Sequence, residues 1–137
     1  MQSLKVRILV VEDFAPFQRV IQSTLEENPE LQIVGVASDG AEGVRQAEKV
    51  QPDLVLLDIG LPKLNGIEVA KRILKSTPQC KILFVTQESS GVLVREAFRA
   101  GAHGYVLKGR IFVELLSAVK VVLEGNQFVS TGLSIDY

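Results

Sequence analysis

Cysteine, histidine and tryptophan are scarce or absent in this chain of 137 residues. Cys80 is the one cysteine, so no internal disulfide can form, and this composition suits a reducing cytoplasm. No apolar run approaches the roughly 18 residues that a transmembrane helix needs. The first residues lack the charged region, the apolar region and the cleavage site of a signal peptide. We therefore expect a cytoplasmic protein without membrane association.

A strong excess of either charge is also absent, because the formal net charge is −1. Domains that bind nucleic acid through its phosphates are usually strongly basic, so this composition disfavours DNA binding. The balance conceals an asymmetry: residues 1–60 carry ten acidic and five basic side chains, whereas residues 61–137 carry six and ten. Hydrophobic residues make up 47% and charged residues 23% of the chain, which is typical of one folded domain.

Short apolar segments alternate with segments of helical periodicity along the chain. The apolar segments are rich in β-branched residues and predict five strands, at residues 6–11, 31–37, 54–57, 82–85 and 103–107. An amphipathic stretch follows each of them, as in repeated βαβ units. We expect an α/β fold of the doubly wound, flavodoxin-like kind, with a five-stranded parallel sheet of order 2-1-3-4-5 and helices on both faces. Phe14, Phe17 and Phe98 are expected in its core.

Polar side chains stand where four of the predicted strands end. Glu12 and Asp13 follow the first strand, Asp58 the third, Thr86 the fourth and Lys108 the fifth. Ligands of an open parallel sheet bind in the crevice outside these carboxyl ends. Each residue alone has an ordinary explanation as a helix cap, a turn residue or a solvated side chain. The coincidence of all five at one edge favours a functional site.

The residue types at this edge predict Mg²⁺-dependent phosphoryl chemistry. Neighbouring carboxylates repel one another unless a cation lies between them, and oxygen ligands without histidine or cysteine suit Mg²⁺. With a metal present, one carboxylate can attack a phosphoryl group. Lys108 offers a positive charge, and Thr86 a hydroxyl hydrogen, to the phosphoryl oxygens.

Several segments together resemble the receiver domain of bacterial response regulators. They are ILVVED at 8–13, DLVLLDIGLP at 53–62, NG at 65–66, VT at 85–86 and GAHGYVLK at 101–108. Each fragment alone is weakly specific, whereas the combination is highly specific and extends over about residues 5–125. The resemblance implies a signalling module that takes a phosphoryl group from a sensor histidine kinase. It implies no enzyme beyond catalysis of the module's own phosphorylation and dephosphorylation.

The resemblance implies a role for each matching position of the crevice. Asp58 is the expected phosphoacceptor, Asp13 a direct ligand of Mg²⁺, and Glu12 an acid that reaches the metal through water. The backbone carbonyl of Gly60 is a further expected ligand, and Lys108 is expected to bind the phosphoryl group.

Two further pairs of positions follow from the same resemblance. Thr86 and Tyr105 match a switch pair, in which the hydroxyl moves inward after phosphorylation and the aromatic ring follows. Gly60 and Glu88 match positions that tune the lifetime of the phosphoryl group. The chain departs from the family pattern at two positions. Gln87 stands where a smaller residue is common in the family, and Gly109 stands where proline is common.

The last predicted helix and the residues after it resemble the LuxR type of transcription regulator. ELLSAVK at 114–120, Gly125 and Ser130 match that type, in which a linker and a DNA-binding helix-turn-helix domain follow the receiver. We expect a receiver domain at 1–125 and a short tail at 126–137 that begins a linker to an output domain absent from this chain. Phe128 is expected to pack the tail back on the domain.

This interpretation makes the protein a regulator of transcription, although the chain alone should not bind DNA specifically. A stand-alone receiver is the alternative, and dimerisation on phosphorylation stays open. A haloacid-dehalogenase-like phosphatase also uses an aspartate, Mg²⁺, threonine and lysine, but its first motif has two aspartates that bracket one residue, whereas this chain has EDFA at 12–15. A degenerate receiver would act only as a scaffold and would not bind beryllofluoride with Mg²⁺.

Overall fold

The computed structural model describes residues 5–133. Within them six strands alternate with five helices. The strands are β1 (Val6–Val11), β2 (Leu31–Ala37), β3 (Leu54–Leu57), β4 (Lys81–Thr86), β5 (Gly104–Leu107) and β6 (Phe128–Val129). The helices are α1 (Ala15–Leu25), α2 (Gly40–Val50), α3 (Gly66–Ser76), α4 (Gly91–Arg99) and α5 (Ile111–Leu123), and a 3-10 turn over Lys108–Arg110 joins β5 to α5. None of these helices has both the length and the apolar character that crossing a membrane requires.

The strands form one parallel sheet of order β2-β1-β3-β4-β5-β6. The first five strands have the predicted order 2-1-3-4-5. The predicted number of five strands is wrong, because Phe128 and Val129 pair with Gly104 and Tyr105 and add a sixth strand at the edge. The segment after residue 125 therefore contributes to the sheet, and its last residues, 134–137, lie outside the described part of the chain.

Alternate residues of each central strand enter two separate apolar layers, because successive side chains of a strand point to opposite faces. Val11 and Leu57 face the layer beneath α2, α3 and α4, whereas Val10 and Leu56 face the layer beneath α1 and α5. This confirms the prediction of helices on both faces. Phe128 packs against the second layer, so the C-terminal segment folds back on the domain as expected.

Side-chain caps and one glycine fix the helices that border the carboxyl edge of the sheet. Asp39 Oδ1 accepts a 2.8 Å hydrogen bond from the amide of Glu42 at the start of α2. Asn65 does the same for α3, and such caps satisfy amides that a helix leaves unpaired. Gly66 begins α3 where an added Cβ would overlap the backbone carbonyl oxygen of Asp58. Glycine is therefore required for the close approach of α3 to the end of β3.

Candidate functional site

The strands deliver the predicted polar residues to one edge of the sheet. Glu12 follows β1, Asp58 follows β3, Thr86 ends β4 and Lys108 follows β5. β3 lies between β1 and β4, and β5 lies on the far side of β4. Because all four strands are parallel, their carboxyl ends share one edge, which is where open α/β sheets bind ligands.

Three carboxylates form an acidic cluster at this edge. One oxygen from each of Glu12, Asp13 and Asp58 lies within 4.8 Å of the other two. Glu12 and Asp58 are buried, whereas Asp13 is exposed and opens the cluster to solvent. Three carboxylates fit a hard divalent cation such as Mg²⁺, and the cluster offers neither the nitrogen nor the sulfur ligands that zinc and copper favour.

The ammonium group of Lys108 lies between two of these carboxylates. Its Nζ is 2.7 Å from Glu12 Oε1 and donates a 2.9 Å hydrogen bond to Asp58 Oδ2. Only 9% of the lysine side chain is exposed. Burial alone would lower the pKa of Lys108, but the two carboxylates outweigh it and raise that pKa above its usual value. One cation therefore faces three carboxylates, and the site keeps a negative charge that favours a metal ion.

Backbone contacts hold Glu12 in place. Its Oε2 accepts a 3.0 Å hydrogen bond from the amide of Phe14, and the side-chain amide of Gln18 donates to the Glu12 carbonyl at 2.6 Å. Burial raises the pKa of the Glu12 carboxyl, although the contacts with Lys108 and Phe14 act in the opposite direction. The carboxylate thus depends on its donors and on a nearby cation to remain ionised in this buried position.

Thr86 and Tyr105, the predicted switch pair, both form hydrogen bonds with the backbone of Glu88 in the loop after β4. Thr86 Oγ1 accepts a 3.3 Å hydrogen bond from the amide of Glu88. Tyr105 donates its hydroxyl hydrogen to the carbonyl of the same residue at 2.6 Å. The ring of Tyr105 is fully buried, and burial raises the pKa of its hydroxyl. Tyr105 therefore does not line the crevice itself but contacts the backbone that does.

A crevice of about 260 Å³ opens between these elements. Its volume lies below the roughly 300–1,000 Å³ of sites for larger organic ligands, so it suits a small anion with a metal ion and waters. The residues that line it are Asp13, Phe14, Phe17, Asp58, Gly60, Thr86, Gln87, Glu88 and Lys108. Both predicted lifetime positions, Gly60 and Glu88, are thus at the crevice, together with the unusual Gln87.

Two aromatic residues that were expected in the core border the crevice, although Phe17 also packs against the apolar layer beneath α1 and α5. The expected core position of Phe14 is wrong, since 53% of this residue is exposed. Its ring centroid lies 5.8 Å from that of Phe17. The Phe17 ring in turn faces Lys108 Nζ at 4.5 Å, a distance at which an aromatic face attracts a cation. Phe17 lies in the first turn of α1, which begins two residues after Asp13, and this closeness in the chain to the acidic pair is the signal that could have indicated it.

An acidic crevice with a buried lysine lies at the carboxyl edge of a doubly wound sheet, which is the arrangement that the resemblance to receiver domains predicts. The family model of the response regulator receiver domain matches residues 8–120. The match spans most of the chain, and the chain therefore belongs to this family: it is the receiver domain of a two-component response regulator.

Individual relatives agree with this assignment. The chain is 32% identical over 125 residues to the transcriptional regulatory protein DegU of Brevibacillus brevis, a match that covers 91% of this chain and 53% of DegU. It is 33% identical over 125 residues to the response regulator GacA of Pseudomonas viridiflava, covering 91% and 58% respectively. The chain thus spans a little over half the length of these curated relatives.

A solved structure gives the same result for the fold. The crystal structure of a LuxR-family two-component response regulator from Aurantimonas sp. SI85-9A1 superposes with a TM-score of 0.88 at 31% identity. The superposition covers 93% of this chain and 91% of that one. The predicted similarity to LuxR-type receivers is confirmed.

Proposed function

We propose that this receiver accepts a phosphoryl group on Asp58 from the phosphohistidine of a sensor kinase in a Mg²⁺-dependent reaction. The observation that carries the proposal is the position of Asp58 between two kinds of electrostatic partner. On one side its carboxylate belongs to the cluster whose oxygens lie within 4.8 Å of one another. On the other side it accepts the 2.9 Å hydrogen bond from Lys108. A phosphoryl group on Asp58 would therefore have both a metal site and an ammonium group beside it.

The proposed step is a displacement at phosphorus. A carboxylate oxygen of Asp58 forms a bond to phosphorus, while the bond from phosphorus to the donor's imidazole nitrogen breaks and leaves its electron pair on that nitrogen. Glu12, Asp13, Asp58 and the carbonyl of Gly60 would hold Mg²⁺, which when bound neutralises charge on the phosphoryl oxygens. Lys108 offers its ammonium group to the same oxygens.

The proposed switch begins at Thr86. A phosphoryl group adds negative charge and strong hydrogen-bond acceptors at Asp58, and the Thr86 hydroxyl can donate to one of them. Thr86 and Tyr105 both contact the backbone of Glu88, so a movement of the hydroxyl would also displace the partner of the tyrosine. Such differential contacts shift a two-state equilibrium. Gly60 and Glu88 border the same crevice and are proposed to tune the phosphoryl lifetime.

The proposed output is regulation of transcription through a DNA-binding domain outside this chain. The match covers only 53% of DegU and 58% of GacA, and residues 126–137 are proposed to lead toward such a domain. The exposed Phe112 and Val113 of α5 offer apolar surface for contact between two phosphorylated copies. The proposed location is the cytoplasm, where a kinase phosphohistidine is accessible and Cys80 would stay reduced.

Intact-protein mass spectrometry after incubation with acetyl phosphate and Mg²⁺ tests the proposal. The wild type should gain one phosphoryl group, and Asp58→Asn should gain none. Asp53→Asn is the matched control, because Asp53 is an exposed aspartate at the opposite end of β3, where it accepts a hydrogen bond from the Arg7 amide. It should label like the wild type, and chelation of Mg²⁺ should stop labelling in both.

Equal labelling of Asp58→Asn and wild type would contradict the proposed phosphoacceptor. Steady turnover of p-nitrophenyl phosphate would instead support a phosphatase. A sizing measurement with beryllofluoride and Mg²⁺ tests the dimer separately, because an unchanged elution volume would remove dimerisation from the proposal and leave the phosphoacceptor untouched.

A further inference from the structure

The segment after α5 runs along the strand that leads to Lys108. Phe128 and Val129 pair with Gly104 and Tyr105 of β5. The amide of Ser130 then donates a 2.9 Å hydrogen bond to the carbonyl of Tyr105. The C-terminal segment therefore accompanies β5 from its start almost to its carboxyl end, where the crevice lies.

The side chain of Ser130 joins three parts of the domain. The residue is 2% exposed, and its hydroxyl oxygen accepts a 2.9 Å hydrogen bond from the amide of Leu107. The same hydroxyl donates to Glu114 Oε1 in α5. Leu107 directly precedes Lys108 in the chain, so this hydroxyl fixes the backbone on one side of the lysine.

Glu114 holds a side chain on the other side of the lysine. This carboxylate is buried in the first turn of α5, accepts a 3.1 Å hydrogen bond from the amide of Thr131, and forms a 2.9 Å ion pair with Arg110 Nε. Burial alone would raise the pKa of Glu114, but the hydrogen bonds from Ser130, Thr131 and Arg110 lower it to about 2. Glu114 is thus ionised at neutral pH and holds Arg110, two residues after Lys108.

The middle residue of the turn between these two anchors, Gly109, is exposed. An added Cβ at Gly109, the middle residue of the Lys108–Arg110 turn, would meet nothing within 4 Å. Glu12 and Asp58 hold the ammonium group of the lysine, and two further contacts, at Leu107 and Arg110, lie on either side of it in the chain. Both contacts involve the buried pair Ser130 and Glu114, which we call the C-terminal brace.

We propose that the C-terminal brace positions Lys108 for the phosphoryl group and thereby links the segment that leaves the domain to the phosphorylation site. The inference rests on the proposed function, since it assigns Lys108 to the phosphoryl oxygens. Loosening the brace should weaken contacts of a phosphoryl group with Lys108. By thermodynamic reciprocity, ligation of the site should strengthen the attachment of the segment by the same factor.

The brace contacts the backbone and a side chain beside the lysine and none of the three carboxylates of the acidic cluster, and this difference separates positioning from a general loss of structure. Ser130→Ala removes the hydroxyl that Leu107 and Glu114 share. Glu114→Gln keeps an acceptor oxygen and nearly the same shape but loses the charge opposite Arg110. Ser117→Ala makes the same substitution at an exposed position of α5 and serves as the matched control.

Calorimetric titration measures two affinities for each variant, that of Mg²⁺ alone and that of beryllofluoride in saturating Mg²⁺. It is run at a temperature at which circular dichroism shows every variant folded. Ser130→Ala should bind beryllofluoride about fivefold or more weakly than wild type, the lower end of usual coupling between sites. Its Mg²⁺ affinity should not fall, because Lys108 and the metal share Glu12 and Asp58, and a loosened lysine competes less for these carboxylates. Glu114→Gln should change in the same direction, and Ser117→Ala should match the wild type.

Beryllofluoride affinities equal to wild type in both brace variants would overturn the inference while the proposed function stands. An equal loss of both affinities would overturn it too, because a structural defect has that signature. Failure of the wild type to bind beryllofluoride would refute the proposed function itself.

Hydrogen exchange on the wild type gives a readout that needs no variant. Beryllofluoride with Mg²⁺ should slow exchange of the Leu107 and Ser130 amides, which the brace and β5 hold. Protection confined to the crevice, with both of these amides unchanged, would contradict the coupling.

Discussion

Replacing Lys108 by methionine removes the ammonium group that lies between two buried carboxylates. Glu12 is 1% exposed and Asp58 is 6% exposed, so water can solvate these carboxylates only in part once the lysine is gone. Methionine keeps a long apolar side chain, so that the loss of charge dominates over the loss of volume. We expect a large destabilisation in metal-free buffer at slightly alkaline pH.

The magnitude follows from the spacing of the acids. One oxygen of Glu12 and one of Asp58 lie within 4.8 Å of each other, and two unit charges at that distance repel by about 3.5 kcal/mol at an effective dielectric constant of about 20. Breaking a buried ion pair by removing one partner costs about 3–5 kcal/mol in general. Both arguments predict a loss of about 3–4 kcal/mol in the free energy of unfolding.

The loss should depend on pH in a defined direction. Burial already raises the pKa of Glu12 above the value of 4.5 that applies to the unfolded chain, and removing Lys108 raises it further. The folded variant then binds a proton more tightly than the unfolded chain, so its stability falls as pH rises through the folded pKa. The destabilisation should be full above that pKa and should shrink as pH falls toward 4.5. Added Mg²⁺ should also reduce it, because the cation compensates the same carboxylates.

Urea unfolding of the wild type, Lys108→Met and Lys63→Met, at about pH 5 and about pH 8, measures these differences. Lys63 is the control, because its 3.3 Å ion pair with Asp39 is on the surface and its side chain is 69% exposed. Surface pairs contribute less than about 1 kcal/mol. A Lys108→Met variant that loses no more stability than Lys63→Met, or that loses the same amount at both pH values, would refute the electrostatic reasoning.

Three further substitutions test the fold around the site. His103 Nδ1 accepts a 3.1 Å hydrogen bond from the Ile82 amide, and burial, with Lys81, lowers its pKa below 6.5. The stability of the wild type relative to the His103→Gln variant should therefore decline as pH falls below 6.5. A difference between the urea midpoints of the two proteins that stays constant across this pH range would contradict the prediction. Gly66→Ala should lower the free energy of unfolding by about 1–3 kcal/mol, because the new Cβ overlaps the Asp58 carbonyl oxygen. It should also weaken Mg²⁺ binding in calorimetry. An unchanged Mg²⁺ affinity would argue against control of the Asp58 position by this contact. Phe112→Ser should change thermal stability by less than about 0.5 kcal/mol, since the residue is 80% exposed, and a larger loss would show that this ring is packed.

The acidic crevice could be predicted from the sequence because two simple rules place it. Apolar runs define the strands, and parallel strands bring their carboxyl ends to one edge. Glu12, Asp58, Thr86 and Lys108 each stand directly at the end of such a run, so the predicted sheet order alone brings them together. Their distances could not be predicted in this way, because the ion pairs of Lys108 depend on the turn that carries it.

The sixth strand lacked any such signal. It has two residues, Phe128 and Val129, and polar residues precede and follow it. Periodicity cannot identify a strand of this length, since a period of two needs several residues to be visible. Backbone bonds to β5 and the buried hydroxyl of Ser130 hold the segment instead. These are contacts between residues far apart in the sequence, and only the folded chain reveals them.

Phe14 shows a different limit of sequence patterns. It stands three residues before Phe17, a spacing that would place both rings on one buried face if the helix continued. The backbone of Phe14 is extended, with φ of −93° and ψ of 109°, and α1 begins only at Ala15. The helical period therefore does not apply to Phe14, and its side chain lines the crevice. Phe17, in contrast, packs against the apolar layer beneath α1 and α5, with its ring facing Lys108. A shift of one residue in the start of a helix thus decides whether an aromatic ring joins the core or borders the site.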